Sequence, residues 1–160
     1  MEILIASDSH GRFDNLRHML RNHPNAKYLL FCGDGLRDVG AAVRDFPSVI
    51  VAAVRGNCDW LSDVPEELFF TVEGVRILMM HGHAYGVKSG MEDALSYAKE
   101  RGANILIYGH THKKHNEYVS DAQITLFNPG SIAERTAEGY SYGVLEVKAG
   151  EYLLSHGAIK

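Results

Sequence analysis

The stretch Ile3-Leu4-Ile5-Ala6-Ser7-Asp8-Ser9-His10-Gly11 decides the fold class of this 160-residue chain. Its run of apolar residues is typical of a strand that is buried on both faces. The segment that follows has apolar residues at the spacing of one helical face, namely Phe13, Leu16, Met19 and Leu20. A buried strand that passes through a polar turn into a helix predicts the first unit of a largely parallel α/β sheet.

The rest of the chain continues this pattern and then changes it. Apolar runs predict two more strands at residues 28–32 and 49–54, with a helix at 38–46 between them. A hairpin is predicted from 68–72 and 75–80 around Glu73-Gly74. The later predictions are a helix at 90–101, a buried strand at 105–108 and shorter strands at 124–127, 142–147 and 152–155. We therefore expect one α/β domain over residues 1–160, with two packed sheets and helices outside them.

The composition excludes several classes of protein. The formal net charge of −4 and the pI near 6.1 make nucleic acid an unlikely partner, because no basic footprint is present. The two cysteines, Cys32 and Cys58, cannot form a disulfide framework. Neither a signal sequence nor an apolar run of membrane-spanning length is found, so we expect a cytoplasmic protein with no membrane contact.

Polar motifs that contain glycine follow five of the apolar runs. They are Asp8-Ser9-His10-Gly11, Gly33-Asp34-Gly35, Gly56-Asn57-Cys58-Asp59, His81-Gly82-His83 and Gly109-His110-Thr111-His112. Each alone is ordinary turn or cap chemistry, since Asp8 could cap a helix and Gly33-Asp34 could form a turn. Ligands of open α/β sheets bind beyond the carboxyl ends of the strands, where these motifs would meet. Together they predict a hydrolytic site with two metal ions.

In this order the motifs resemble the calcineurin-like metallophosphoesterase superfamily, and the Gly56-Asn57-Cys58-Asp59 form is similar to its small bacterial and archaeal phosphodiesterase branch. The resemblance runs from Met1 to about Ser131. It implies a four-layer α/β/β/α sandwich of two mixed sheets flanked by helices. It also implies hydrolysis of a small-molecule phosphoester, most simply a phosphodiester, by a hydroxide that bridges two metal ions. Monoesters and nucleic-acid ends stay open as substrates.

The resemblance further implies a ligand set. Asp8, His10 and His112 would hold one divalent ion, while Asn57, His81 and His110 would hold the other and Asp34 would bridge them. Asp34, Asn57 and His81 are the residues expected to matter most for catalysis. Family precedent favours Mn²⁺, although Ni²⁺, Co²⁺, Fe²⁺ and Zn²⁺ also suit nitrogen and oxygen ligands.

Residues beside these ligands are candidates for substrate contact, namely Arg12, Cys58, Asp59 and His83. Cys58 stands where many relatives carry a histidine that protonates the leaving group. Asp59 is expected to orient a ligand histidine, and His83 could replace His81 as a ligand. Two side chains, Tyr85 and Asn128, could line the pocket. Trp60 is expected to pack in the interior rather than to stack on a base.

A second function stays open. The retromer small subunit resembles this fold and acts as a scaffold, so a catalytically weak interaction protein is the alternative. All seven ligand positions hold suitable donors, which favours an enzyme. A homo-oligomer, either a dimer or a tetramer, is also expected, with the strand at residues 152–155 as a possible edge.

Overall fold

Three α-helices and eleven β-strands make up the computed structural model, which describes all residues from Met1 to Lys160. The helices are α1 (Phe13–Asn22), α2 (Leu36–Ala42) and α3 (Glu92–Glu100). The strands are β1 (Glu2–Ala6), β2 (Tyr28–Phe31), β3 (Ile50–Ala53), β4 (Glu67–Val72), β5 (Val75–Met80), β6 (Ile105–Ile107), β7 (Lys114–Val119), β8 (Ile124–Pro129), β9 (Arg135–Thr136), β10 (Gly139–Lys148) and β11 (Glu151–Ile159). No helix has the length and apolar character required to cross a membrane.

The strands form two mixed sheets. In the first sheet the order is β11-β10-β1-β2-β3, with β9 paired to β10. Strands β1, β2 and β3 are parallel, whereas β10 and β11 are antiparallel to their neighbours. In the second sheet the order is β4-β5-β6-β8-β7, with a parallel centre and antiparallel edges. The predicted hairpin of β4 and β5 is confirmed.

Three hydrophobic clusters define the layers. Ile5, Met79 and Phe127 belong to the cluster between the two sheets. A second cluster packs α1 and α2 on the outer face of the first sheet, and a third packs α3 on the outer face of the second. The four-layer α/β/β/α sandwich of two mixed sheets flanked by helices is therefore confirmed.

Burial of strand β1 on both faces explains why its apolar run is unbroken. Ile3 and Ile5 face the second sheet, whereas Leu4 and Ala6 face the helices, and all four side chains are almost completely buried. Successive side chains of a strand point to opposite faces, so a strand between two apolar layers needs apolar residues at every position.

Some element boundaries differ from the predictions. Helix α2 begins at Leu36, ends at Ala42 and continues only as a 3₁₀ turn at Val43–Asp45. Strand β7 was not predicted, because its sequence is largely polar and four of its six residues are exposed. An edge strand with one solvated face carries no apolar run that could mark it.

The carboxyl ends of the central strands of both sheets meet at one edge of the sandwich. The Asp8 amide donates a hydrogen bond to the Gly33 carbonyl at 2.9 Å, which joins the loops after β1 and β2. The Gly109 amide donates to the His81 carbonyl at 3.1 Å, which joins the loops after β6 and β5. These bonds bring the polar motifs together.

Candidate metal centre

The loops that carry the predicted ligands have an unusual backbone. Asp8, His10, Asp34, His110 and His112 all have positive φ angles, from 38° to 66°. This conformation is uncommon in residues other than glycine and costs free energy unless the surroundings impose it. Such strain is concentrated at functional sites, where it aims side chains at a common point.

Asp8, His10 and His112 form the first cluster, in which the three donor atoms lie within 4.8 Å of one another. The two Nε2 atoms of His10 and His112 are 3.3 Å apart, and Asp8 Oδ1 is 3.2 Å from His112 Nε2. Asp8 is completely buried, yet its Oδ1 has no hydrogen-bond partner. Buried carboxylate oxygens are normally paired, so this free oxygen beside two imidazoles suits a cation.

The second cluster contains Asp34, His81 and His110, with donor atoms again within 4.8 Å of one another. Asn57 Oδ1 is 3.2 Å from His81 Nε2, which places the amide oxygen in the same group. The Nδ1 atom of His81 lies 2.6 Å from the Cys32 carbonyl oxygen and donates its hydrogen bond there. This bond leaves the lone pair on His81 Nε2, the atom that faces the cluster.

The Asp34 carboxylate lies between the two clusters. Its Oδ2 atom is 3.3 Å from His81 Nε2 and 4.0 Å from His10 Nε2, while Oδ1 accepts a hydrogen bond from the Cys58 amide at 2.8 Å. Burial alone would raise the pKa of Asp34, but the adjacent His81 ring and the hydrogen bond from the Cys58 amide outweigh it and hold the pKa well below its usual range. Asp34 is therefore a charged carboxylate in contact with both groups.

The two histidines of the Gly-His-Thr-His motif differ in charge. The negative charges of Asp8 and Glu134 beside the ring outweigh burial and raise the pKa of His112 to about 9. Burial and the nearby His81 lower the pKa of His110 to about 4. At neutral pH His110 offers a free lone pair, whereas His112 carries a proton that a metal ion would displace.

Comparison with known proteins places the chain in a family. A family model for the calcineurin-like phosphoesterase superfamily domain matches residues 1–150. This chain belongs to that superfamily. The resemblance inferred from the sequence motifs is therefore confirmed, and metal-binding phosphoesterase chemistry is the activity that the family and its named members suggest.

Individual relatives match nearly all of the chain. The probable metallophosphoesterase YsnB of Bacillus subtilis is 32% identical over 151 residues, which are 92% of this chain and 85% of that protein. The phosphodiesterase MJ0936 of Methanocaldococcus jannaschii is 27% identical over 175 residues and covers 95% and 96% of the two chains. The structure of a Vps29 mutant from Entamoeba histolytica has a TM-score of 0.77, covers 100% of both chains and is 20% identical, which shows a shared fold.

Residues outside the motifs support the site. Glu134 Oε1 lies 2.5 Å from His112 Nδ1, so it accepts the hydrogen bond that points His112 Nε2 at the first cluster. Asp38 accepts hydrogen bonds from the Ser9 hydroxyl and the Gly11 amide, which holds the first loop. Sequence reasoning missed Glu134 and Asp38, because neither belongs to a glycine-containing motif.

Asn128 supports the loop at residues 109–112 and is not a wall of the pocket. Its side chain is completely buried, donates to the Gly109 carbonyl and the Thr111 hydroxyl, and accepts from the Gly130 amide. Because all its polar atoms are used in these bonds, Asn128 cannot touch a ligand. Tyr85 likewise bonds Glu67 at 2.9 Å and stacks on Tyr97.

Asp59 has a different role from the predicted one. Its carboxylate accepts hydrogen bonds from four backbone amides, those of Asp34, Gly35, Leu36 and Gly56, at 2.8–3.0 Å. It contacts no ligand histidine, so the expectation that it orients one is wrong. Asp59 instead fixes the loop that carries Asp34.

The other candidates for substrate contact differ in how close they lie to the two clusters. His83 has its ring 5.4 Å from that of His81, and its Nε2 is 3.7 Å from Glu66, but it is not part of either cluster. Cys58 reaches the site and lies with His10 and Asp34 within 4.8 Å. The Arg12 side chain is exposed and forms no ion pair.

The contact between Glu134 and His112 leads to a prediction about metal affinity. Glu134→Gln should weaken metal binding at the first cluster about 10- to 100-fold, because the charged hydrogen bond that orients His112 is lost. Isothermal titration with Mn²⁺ measures this change. Glu117→Gln is the matched control, since Glu117 forms the same kind of bond at 2.9 Å to His115, outside the clusters. Equal affinity in both variants would contradict the assignment of Glu134.

Proposed function

We propose that this phosphoesterase hydrolyses small phosphodiesters with two divalent metal ions. The observation that supports this most is the Asp34 carboxylate between two donor clusters, next to the buried and unpaired Asp8 Oδ1. One ion would be held by Asp8, His10 and His112 and the other by Asn57, His81 and His110, with Asp34 shared. Two ions bound there would activate water and neutralise charge on the phosphoryl oxygens.

The residues of the chain supply orientation and access. The positive-φ loops hold the donors before any ligand arrives, together with hydrogen bonds to the Cys32 carbonyl and the Glu134 carboxylate and from the Cys58 amide. Little reorganisation is therefore needed on binding. His10 is the most exposed of the clustered histidines and borders a surface cleft, which gives substrate a route to the centre. The nitrogen and oxygen donors suit Mn²⁺ and also Ni²⁺, Co²⁺, Fe²⁺ or Zn²⁺.

Two observations support small diesters with good leaving groups. A relative that matches over nearly the whole chain bears the name phosphodiesterase. Partial desolvation and the adjacent Asp34 carboxylate raise the pKa of the Cys58 thiol, so it stays neutral and is a poor proton donor. Substrates whose leaving oxygen departs without protonation should therefore be preferred. The net charge of −4 makes nucleic acid a poor partner.

Metal removal and reconstitution test the proposal. The protein treated with a chelator should not hydrolyse bis-p-nitrophenyl phosphate, and Mn²⁺ should restore turnover with two ions bound per chain. Release of p-nitrophenolate and metal analysis of the reconstituted protein give the two readouts. Full metal occupancy without turnover above background would contradict the proposed hydrolysis and would favour the scaffold function.

The scaffold is the second candidate, and the likeness of fold to Vps29 is compatible with it. The neutral Cys58 also weakens the argument for strong catalysis. We further propose a cytoplasmic location, because Cys32 and Cys58 are free thiols. The homo-oligomer stays a prediction; β11 is an edge of the first sheet and could pair with a second copy.

A further inference from the structure

Trp60 is the largest exposed aromatic side chain near the metal centre. It is the single tryptophan of the chain, and 82% of its surface is exposed. The expectation that it packs in the interior is therefore wrong. Leu61, the next residue, is also fully exposed and has a φ of +59°. Two exposed apolar side chains on a strained turn have no structural role in the chain itself.

A cleft of about 510 Å³ joins this turn to the metal centre. It is lined by His10 and Asp34 of the clusters and also by Cys58, Arg37, Trp60 and Leu61. A volume of this size is typical of a site for a small molecule. A molecule whose phosphate reached Asp34 and His10 could therefore extend to Trp60 within the same cleft.

The position of Trp60 relative to the metal centre is held by its neighbour. Asp59 accepts four backbone hydrogen bonds, two of which come from Asp34 and Gly56. The residue before Trp60 is thus bonded to the loop that carries the shared carboxylate. An aromatic side chain on a held backbone loses little conformational freedom when it binds a ligand, which favours a specific contact.

Arg37 gives the cleft a positive charge that can meet a phosphate, while the carboxylates of Asp38 and Asp59 in its lining accept hydrogen bonds from within the chain. Arg37 lines the cleft, is exposed and forms no ion pair with another side chain. A free guanidinium in the same cleft as an exposed indole can pair with phosphate while the indole stacks on an aromatic ring. An aliphatic diester would leave the indole without a partner.

We propose that Trp60 stacks on the nucleobase of a nucleotidyl phosphodiester, while the scissile phosphate lies at the metal centre. This inference rests on the proposed function and deepens it by naming the substrate class. Stacking discriminates little among nucleobases because every base has a π face, so the site should accept several bases.

Fluorescence of the single tryptophan gives a direct test that does not require turnover. Adding AMP to the metal-loaded protein should quench the emission of Trp60 in a saturable way, with excitation at a wavelength that adenine does not absorb. Ribose 5-phosphate, which has the same phosphate but no base, should not. Equal responses to AMP and ribose 5-phosphate, or no response to either, would overturn the stacking contact.

Kinetics with a matched pair of diesters give the second test. The p-nitrophenyl ester of thymidine 5′-phosphate and ethyl p-nitrophenyl phosphate share a leaving group, but only the first has a base. Trp60→Ala should raise KM about 10-fold or more for the thymidine ester, with kcat unchanged, and should leave the ethyl ester unaffected. Trp60→Phe should restore most of the affinity, because a phenyl ring also stacks.

A control variant and the ethyl ester separate the possible outcomes. Tyr118→Ala removes another exposed aromatic side chain, 60% exposed on β7 and outside the cleft, and should not change either substrate. Equal losses on both esters in Trp60→Ala would reject base stacking. If the unmodified protein hydrolyses neither ester but AMP still quenches the emission of Trp60, the proposed hydrolysis is rejected and the stacking contact of Trp60 with the base is supported.

Discussion

Asp34→Asn is expected to lower kcat/KM for bis-p-nitrophenyl phosphate by about 10²- to 10³-fold or more while the fold stays intact. The change keeps the size of a buried side chain and removes a carboxylate that lies 3.3 Å from His81 Nε2 and 4.0 Å from His10 Nε2. An amide is neutral and would present either an NH₂ group or a weaker oxygen ligand to the two groups. Steady-state kinetics at saturating Mn²⁺ measure the loss, and circular dichroism reports on the fold.

The matched control for this change is Asp121→Asn. Asp121 is exposed in the turn between β7 and β8 and has no side-chain partner, so its variant should keep full activity. If Asp34→Asn hydrolysed the substrate as fast as the control, the shared position of Asp34 would have no catalytic meaning. A normal rate in the unmodified protein with only one ion bound per chain would also reject the bridging assignment of Asp34.

Gly56→Ala is expected to abolish most activity through a steric effect. An ideal Cβ atom at Gly56 would lie 2.0 Å from Asp34 Oδ1 and 2.6 Å from the Asp34 amide nitrogen. Neither contact is possible, so the Asp34 loop must move away from both clusters. Overpacking of this kind costs about 1–3 kcal/mol of stability. The expected result is a lower metal content and a loss of turnover as large as that of Asp34→Asn, together with a lower Tm.

Gly40→Ala is the control for the effect of adding a methyl group. Gly40 lies within α2, and a Cβ atom there would meet nothing within 4 Å. Alanine is preferred to glycine in helices by about 1 kcal/mol, so this variant should keep its activity and have an equal or higher Tm. Full activity and metal content in Gly56→Ala would show that the Asp34 loop tolerates displacement.

Much of the fold and of the candidate site could be predicted because the signals are local. The apolar runs of β1 and β2 reflect burial on two faces, and the helical spacing of Leu16, Met19 and Leu20 reflects burial on one. The glycine-containing motifs mark the strand ends. The structure brings the seven predicted donors together at that edge, whereas their role as metal ligands stays a proposal.

Contacts between distant residues could not be predicted in this way. Asp59 bonds amides up to 25 residues away, and Glu134 reaches His112 across 22 residues. No pattern in a contiguous segment encodes such a pairing, since it depends on how loops from different strands pack. The polar edge strand β7 was missed for a related reason, because one of its faces is solvated and its stability comes from pairing with β8.

The sequence by itself determined the order of the buried strands and the packing of two sheets between helices, because these follow from the polarity of neighbouring residues, whereas the set of seven proposed donors came from the resemblance of its motifs to a family. Tertiary structure alone decided which side chains hold the loops and that Trp60 faces solvent beside the cleft. Those features depend on distances between segments that are far apart in the chain, and such distances exist only after the two sheets have packed together.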